Sequence, residues 1–366
     1  MKRYLASILL LAALLTSFSA SAQEEKTSKP DTLYVNFLEG LDKGDIIPFK
    51  YIYQRAKIGV GEVQDTALTC SITKDISFEV VENNKEKHIV HFTVTQDNFI
   101  KVGPECNNFR YSGSTCLVGD GFTYDVYVTY SGNMYGPCPD EMYSRYQKNL
   151  DYISDTLANS PYVSKKLSKE EWTDIFSFMK DTSYVLSHAS SDFSDLFFFG
   201  AYDYEPDEVY TSIDSVLCDA DQQYYYIQKR FGWDKTFSEN NEEFKNTYVF
   251  RSSQVIDPHL FLEILYSPHK FTKEELEDLI QKADPKRLKH IVEITEIADK
   301  AMGMPILLEK ETLEGYYEKV GEDYVCLKKE ILILDFDKLG ADEGDEDEEE
   351  DDDSPRYDDY GFIKVK

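Results

Sequence analysis

The strongest constraint on the fold is an alternation of apolar and polar residues between Leu68 and Val94. Apolar side chains occupy every second position from Leu68 to Val80, and the single interruption is Lys74. A period of two is typical of a β-strand with one dry and one wet face. After the polar residues 82–87 the alternation returns. The stretch therefore predicts an antiparallel hairpin whose dry face must be covered by other elements.

The first residues have the composition of a secretory signal peptide. A basic start at Lys2 and Arg3 precedes an apolar run from Leu5 to Leu15 and the small residues Ala20 to Ala22. The apolar run is shorter than the roughly 20 residues that cross a bilayer. We therefore predict that residues 1–22 are a signal peptide, that the chain is exported to a periplasmic or extracellular location, and that it has no membrane span.

The chain is strongly acidic. Its formal charge is -30, or -32 once Lys2 and Arg3 are removed, and eleven of the negative charges lie between Asp342 and Asp353. Such a surface repels nucleic acid and anionic membranes, so neither is an expected partner. The acidic run leaves open a weakly held divalent cation or a cationic partner, although its spacing does not match an EF-hand loop.

Two predicted helices begin with the same pattern. Ser168-Lys-Glu-Glu171 and Thr272-Lys-Glu-Glu275 are capping boxes, in which the hydroxyl accepts from the amide three residues on and the glutamate accepts from the first amide. Apolar residues flank each box, as Phe271 and Leu276 do. The shared pattern leaves open an internal duplication, but capping boxes are common wherever helices begin.

Three other stretches were assigned by periodicity. The aromatic residues from Phe193 to Ile227 predict strands, and so do residues 260–266. The apolar spacing after Asp284-Pro285 predicts a helix that carries Ile291 and Ile294 and ends at Gly303.

The fold class that we predict is α+β, in which a curved antiparallel sheet packs on a few amphipathic helices. A wrapped half-barrel is one form that such a sheet can take. By fold-level analogy with periplasmic lipoprotein carriers, an apolar ligand would lie between the concave sheet and the helices. The predicted segments are a signal peptide (1–22), an antiparallel meander (23–138), a helical segment (139–190), mixed strands and helix that can form one domain with 23–190 (191–338), an acidic disordered loop (339–359) and a returning strand (360–366).

The chain contains six cysteines, and an even number permits all of them to form disulfides in an exported protein. Cys106 and Cys116 bracket a short polar loop, and we expect them to be joined. Cys70, on the dry face of the hairpin, is expected to be a small buried thiol. No CxxC pair exists to bind zinc. The six residues are Cys70, Cys106, Cys116, Cys138, Cys218 and Cys326.

No catalytic, cofactor-binding or metal-binding residue can be nominated. No GxSxG or Walker-type loop occurs, and acidic residues are too numerous for any one pair to stand out. His88 and His91 would point to opposite faces of a strand, and His290 with Glu293 would be a surface pair on a helix. The aromatic residues between 193 and 226 allow a sugar-binding surface, but they are more simply explained as core.

The signal peptide, the Tyr-rich body of antiparallel strands and the two stapled helices beginning at Ser168 and Thr272 look like uncharacterised secreted proteins of Bacteroidales-type bacteria. The resemblance covers most of the exported chain and assigns no residue a role. We predict an exported non-catalytic binding or envelope-associated protein of unknown ligand. The alternatives are a periplasmic carrier of an apolar small molecule and a hydrolase with an unrecognised site.

Overall fold

The computed structural model describes residues 32–59, 66–103, 106, 121–145, 147–148, 151, 168, 170–171, 182–200, 202–265, 271–282, 290–315 and 324–339. The predicted signal peptide and returning strand lie outside these ranges, and so does the predicted acidic loop apart from its first residue, Leu339. Within them no helix is long and apolar enough to cross a membrane.

Antiparallel strands make up most of the described chain. Their bounds are β1 Leu33–Val35, β2 Ile46–Gly59, β3 Thr66–Asn84, β4 Ile89–Val102, β5 Phe122–Thr129, β6 Met134–Tyr135, β7 Tyr202–Tyr204, β8 Tyr210–Leu217, β9 Tyr224–Trp233, β10 Thr247–Ile256, β11 His290–Asp299, β12 Met304–Gly315 and β13 Tyr324–Leu334. Four helices have bounds within the described residues: α1 Thr182–Ala189, α2 Lys235–Asn240, α3 Pro258–Leu265 and α4 Lys273–Lys282. Residues 140–145 and 170–171 are helical as well.

Eleven of these strands form one open sheet in the order β6-β5-β4-β3-β2-β13-β12-β11-β10-β9-β8, and β1 pairs separately with β7. Both halves of the sheet are meanders, in which strands close in sequence are neighbours. They meet where β2 pairs with β13. The predicted segments 23–138 and 191–338 therefore contribute to the same sheet.

The predicted α+β class is wrong, because the described chain is closer to all-β. The main error is β11, which was predicted as a helix. This strand has neighbours on both sides and apolar residues on both faces, such as Ile294 and Ile297, so its side chains do not alternate cleanly. An apolar run of that kind cannot be told from a helix by periodicity.

Two further assignments change in the opposite direction. Residues 260–266 were predicted as a strand, but α3 occupies Pro258–Leu265. Pro258 is suited to a first helical position, and the Asp257 carboxylate accepts from the His259 amide at 2.9 Å. Residues 193–200 are turns and not strand, although β7, β8 and β9 do follow them.

The hairpin predicted from the alternation is confirmed as β3 and β4. Its dry face is covered by the turns of residues 190–200, which we call the cover. Phe78 lies at the centre of this contact, with ring centroids of four other phenylalanines between 5.0 and 6.0 Å away. The four are Phe49, Phe92, Phe193 and Phe197. Side chains therefore fill the space between the hairpin and the cover.

Both capping boxes are confirmed. Ser168 N donates to Glu171 Oε2 at 2.8 Å and Glu171 N donates to Ser168 Oγ at 3.2 Å. The corresponding distances between Thr272 and Glu275 are 2.9 and 3.3 Å. Behind the second box, Leu276 is buried and Phe271 packs against the same small cluster. The duplication stays an alternative.

The expected Cys106–Cys116 bridge is wrong, because Cys106 is joined to Cys70 with 4.9 Å between the Cα atoms. The end of β4 runs beside the start of β3, since Ser71 pairs with Val102. Gly103 continues this close approach: a Cβ there would lie 2.5 Å from the carbonyl oxygen of Thr69. Pairing of long strands thus brings together two cysteines that are 36 residues apart.

We predict that Cys106→Ser lowers the free energy of unfolding by about 3 to 4 kcal/mol, because the bridge constrains the unfolded chain over a long loop. Urea denaturation under non-reducing conditions measures the change. Cys116→Ser is the matched control and should leave stability near that of wild type. A Cys106–Cys116 crosslink in unreduced peptide maps would contradict the assignment.

Candidate functional site

A row of polar side chains, buried at one end and half-buried at Glu330 and Lys310, crosses the dry face of the sheet. Each of six neighbouring strands contributes one residue, and the strand register places Tyr51 opposite Lys74 and Lys310 opposite Glu330. A β-bulge interrupts the pairing of β3 and β4 on either side of Lys74. From β5 to β12 the members of the row are Tyr124, Gln96, Lys74, Tyr51, Glu330 and Lys310.

The row is linked to the cover by hydrogen bonds and ion pairs. Lys74 Nζ donates to Gln96 Oε1 at 2.5 Å and also to Asp192 Oδ2 in the cover. The Tyr51 hydroxyl lies 3.2 Å from Asp192 Oδ1 and 3.1 Å from Glu330 Oε1. These contacts provide partners for charges that would be costly to bury alone.

A second ion pair joins the other end of the row to the cover. Lys310 Nζ lies 2.8 Å from Asp195 Oδ2 and 3.8 Å from Glu330 Oε2. Burial by itself lowers the pKa of Lys310, but the Glu330 and Asp195 carboxylates outweigh it and raise the pKa above its usual value. Two aspartates of the cover thus bind two lysines on different strands.

The polar row is a tie between the sheet and the cover. Lys74 and Gln96 have no exposed surface, and Tyr51 is nearly as buried. Burial lowers the pKa of Lys74, although the Asp192 carboxylate opposes that shift. A substrate could reach these groups only if the cover left the sheet.

Glu296, on β11, is a buried acid of a different kind. Its side chain has no exposed surface, and among the described residues neither carboxyl oxygen has a hydrogen-bond partner. Burial raises the pKa of Glu296 well above its usual value, and the Asp195 carboxylate raises it further. The folded protein therefore keeps this proton to a higher pH than the unfolded chain does.

An open cleft of about 300 Å³ lies at another part of the molecule, near the end of β9. Trp233 and Tyr248 line it with aromatic rings, and Lys235 with Lys300 bring two positive charges. The start of β1 supplies another part of the wall. Ser238 and Glu239 of α2 complete it.

Local structure explains how these side chains converge. Asp234 follows Trp233 and caps α2, because its carboxylate accepts from the Phe237 amide at 2.9 Å. Asp234 N also donates to the Val249 carbonyl at 2.8 Å, which fixes the helix beside β10. Gly232 is required here, since a Cβ would lie 2.2 Å from the Glu208 carbonyl oxygen.

The cleft combines aromatic and cationic groups at short range. The Trp233 and Tyr248 rings meet edge to face with centroids 6.0 Å apart. Lys235 Nζ lies 5.7 Å from the Trp233 ring centroid, and Lys300 Nζ lies 5.4 Å from that of Tyr248. Lys235 is also 3.7 Å from Glu239. Among the described residues that line the cleft, no nucleophile is paired with a base.

The histidines singled out in the sequence lie apart. His88 is in the turn before β4, and the His91 ring stacks on Tyr127 at 4.5 Å. His290 and Glu293 are on strand β11 and not on a helix, so they point to opposite faces. Among the residues that the structure covers, no three His, Cys, Asp or Glu side chains are grouped as metal ligands.

Sequence reasoning did not find the cleft, because its residues come from four separate parts of the chain. It also interpreted the whole aromatic stretch 193–226 as core. Phe193 and Phe197 are core, whereas Tyr224 and Tyr226 are mostly exposed. The one available signal for the polar row was Lys74, which interrupts an otherwise apolar face.

No family model and no curated protein matches the chain. Among solved structures it aligns with Salmonella typhi OmpF in complex with daunomycin, at 7% identity and a TM-score of 0.23, over 79% of this chain and 97% of that one. A porin-like protein from Bacteroides uniformis aligns at 7% identity and a TM-score of 0.16, over 77% and 96%. Likenesses this low support no conclusion about fold or function. The resemblance to secreted Bacteroidales-type proteins stays a prediction.

We predict that Lys74→Met lowers the free energy of unfolding by about 3 to 5 kcal/mol, because it leaves Asp192 buried without its cation. Adding Asp192→Asn should recover part of that loss. Lys338→Met is the control: Lys338 pairs with Asp75 at 2.9 Å but is half exposed, so its cost should be about 1 kcal/mol or less. Urea denaturation of the variants measures all three values. Equal losses in Lys74→Met and Lys338→Met would contradict the tie.

We predict that Glu296→Gln stabilises the protein increasingly as the pH rises. Near pH 4 both states of wild type hold the proton, so the two proteins should be similar. Above the ordinary pKa of 4.5 the unfolded chain releases the proton and the folded chain keeps it until the pH reaches its raised pKa. Within that window wild type should lose up to about 1.4 kcal/mol of stability per pH unit relative to the variant. Denaturation between pH 4 and 8 tests this, with Glu277→Gln on α4 as the surface control. A pH-independent difference would contradict the buried neutral acid.

Proposed function

We propose that the protein is an exported, non-catalytic binding protein of the cell envelope, and that the Trp233 cleft holds a small anionic ligand with a flat ring. The observation that carries the proposal is the cleft itself, where two aromatic rings and two lysines converge in a chain of formal charge -30. The signal peptide predicted for residues 1–22 supports export.

The chemistry of the cleft supports this ligand class. Aromatic rings stack on or meet the edges of flat ligand rings, and a lysine beside them provides a partner for a carboxylate or phosphate. Lys235 and Lys300 together outweigh the one acid of the cleft, Glu239. An anion entering this surface would find local attraction although the protein as a whole repels it.

The size of the cleft limits the ligand. About 300 Å³ is at the lower end of the volumes that small-molecule sites enclose. A monosaccharide phosphate or a simple aromatic acid fits this range, whereas a long lipid chain does not. The apolar-carrier alternative is not favoured, because the space between the hairpin and the cover is filled by phenylalanine rings.

Tryptophan fluorescence can test the proposal. The chain has two tryptophans, so a Trp172→Phe background leaves Trp233 as the one indole reporter. Glucose 6-phosphate and benzoate are the anionic ring probes; glucose lacks the charge and inorganic phosphate lacks the ring. We expect a saturable change in Trp233 emission with at least one anionic ring probe, and weaker effects of glucose and phosphate.

Charge variants identify the site. Lys300→Met and Lys235→Met should each raise the dissociation constant of the probe about tenfold or more, because each variant removes a charged partner of the anion. Lys273→Met, on α4 and outside the cleft, is the matched control and should bind as the parent does. Absence of a saturable signal with all four probes, or equal binding by both cleft variants and the parent, would overturn the proposal. Turnover of a glycan or peptide panel would instead favour the hydrolase alternative.

A further inference from the structure

The two edges of the large sheet are very different. One edge is β6, which has two residues, and the other is β8, which has eight. Within the described chain β9 is the one strand that pairs with β8, so the far side of β8 is open. Seven of its eight residues are exposed, and Ile213 keeps 60% of its surface.

Strand β8 lacks the features that usually protect an edge. It contains no proline and one charged residue, Asp214, and its register with β9 has no bulge. Long exposed edges of this kind are templates for another strand. On the outer face, the exposed Tyr224 and Tyr226 of β9 continue the apolar surface of Ile213.

The backbone of β8 shows which residues can pair outward. Cys218 N, just after the strand, donates to the Gln223 carbonyl at 2.8 Å, so the polar backbone groups of residue 218 face β9. Backbone direction alternates along a strand. The amide and carbonyl groups of Thr211, Ile213 and Ser215 therefore face the open edge.

The side chains select one register for a second β8 strand. In a two-fold symmetric antiparallel pair, the axis is perpendicular to the sheet, and directly opposite residues have their side chains on the same face. The residue at the axis must therefore lie opposite the same residue of the second copy. An axis at 214 would oppose two aspartates, which is unfavourable. With the axis at residue 213, the two Ile213 side chains lie opposite each other. Each Ser212 then lies opposite an Asp214, to which its hydroxyl can donate. The paired segment is residues 210–216.

We propose that two copies of this protein associate through β8, with Ile213 at the two-fold axis, to form one continuous antiparallel sheet. Thr211 of each copy then opposes Ser215 of the other. These outward-facing pairs and the central Ile213 pair exchange about six backbone hydrogen bonds. The acidic charge of the chain opposes association, so the dimer weakens at low salt.

Cysteine crosslinking tests the register. Ile213→Cys places two thiols opposite each other across the axis and should give a disulfide-linked dimer under mild oxidation on a non-reducing gel. Ser215→Cys is the matched control: it opposes Thr211 of the second copy and should stay uncrosslinked. Wild type sets the background from the native cysteines. Efficient crosslinking of both variants, or of neither, would overturn the proposed pairing.

Sedimentation equilibrium of the purified protein tests the association itself. Wild type should form dimers, and Ile213→Lys should raise the dissociation constant at least about tenfold, because two lysines would then oppose each other. Ile100→Lys, at an equally exposed isoleucine on β4, is the control and should dimerise as wild type does. Wild type that is monomeric up to about 100 µM, or an unchanged dimer in Ile213→Lys, would overturn the proposal, even if β8 binds another protein.

Discussion

The ion pair between Lys74 and Asp192 is the interaction on which the rest of the structure depends. Lys74 is a fully buried cation on β3, an interior strand of the large sheet, and Asp192 belongs to the cover, 118 residues further along the chain. Removing either partner would leave a buried charge, which is far more costly than removing both. The pair therefore fixes where the cover sits on the sheet.

Apolar packing and the polar row have different roles in that contact. The phenylalanine rings around Phe78 supply burial, which is favourable but tolerates small shifts. The hydrogen bonds of Lys74, Tyr51 and Gln96 are directional, and a shift of one residue in β3 would turn Lys74 to the other face. In our interpretation, burial stabilises the cover and the polar row selects its register.

The Trp233 cleft and strand β8, for which we propose binding roles, lie away from the Lys74–Asp192 ion pair. The Trp233 cleft is formed where β9 ends and α2 begins. The open strand β8 belongs to the same β7–β10 part of the chain. This part of the sheet keeps exposed aromatic residues and unpaired backbone. Both this part and the β3–β4 part also supply aromatic residues to the core, as Phe250 of β10 and Phe78 of β3 do.

The sequence by itself determined what depends on neighbours along the chain: the β3–β4 hairpin from its period of two, and the helix starts at Ser168 and Thr272 from their capping boxes. Only the tertiary structure decided that residues 290–299 are a strand, that Cys70 bonds Cys106, and that Lys74 has a partner. Each of these depends on contacts between distant segments, and so does the cleft. Local periodicity carries no information about which distant residues meet, because strand pairing across the sheet sets those distances.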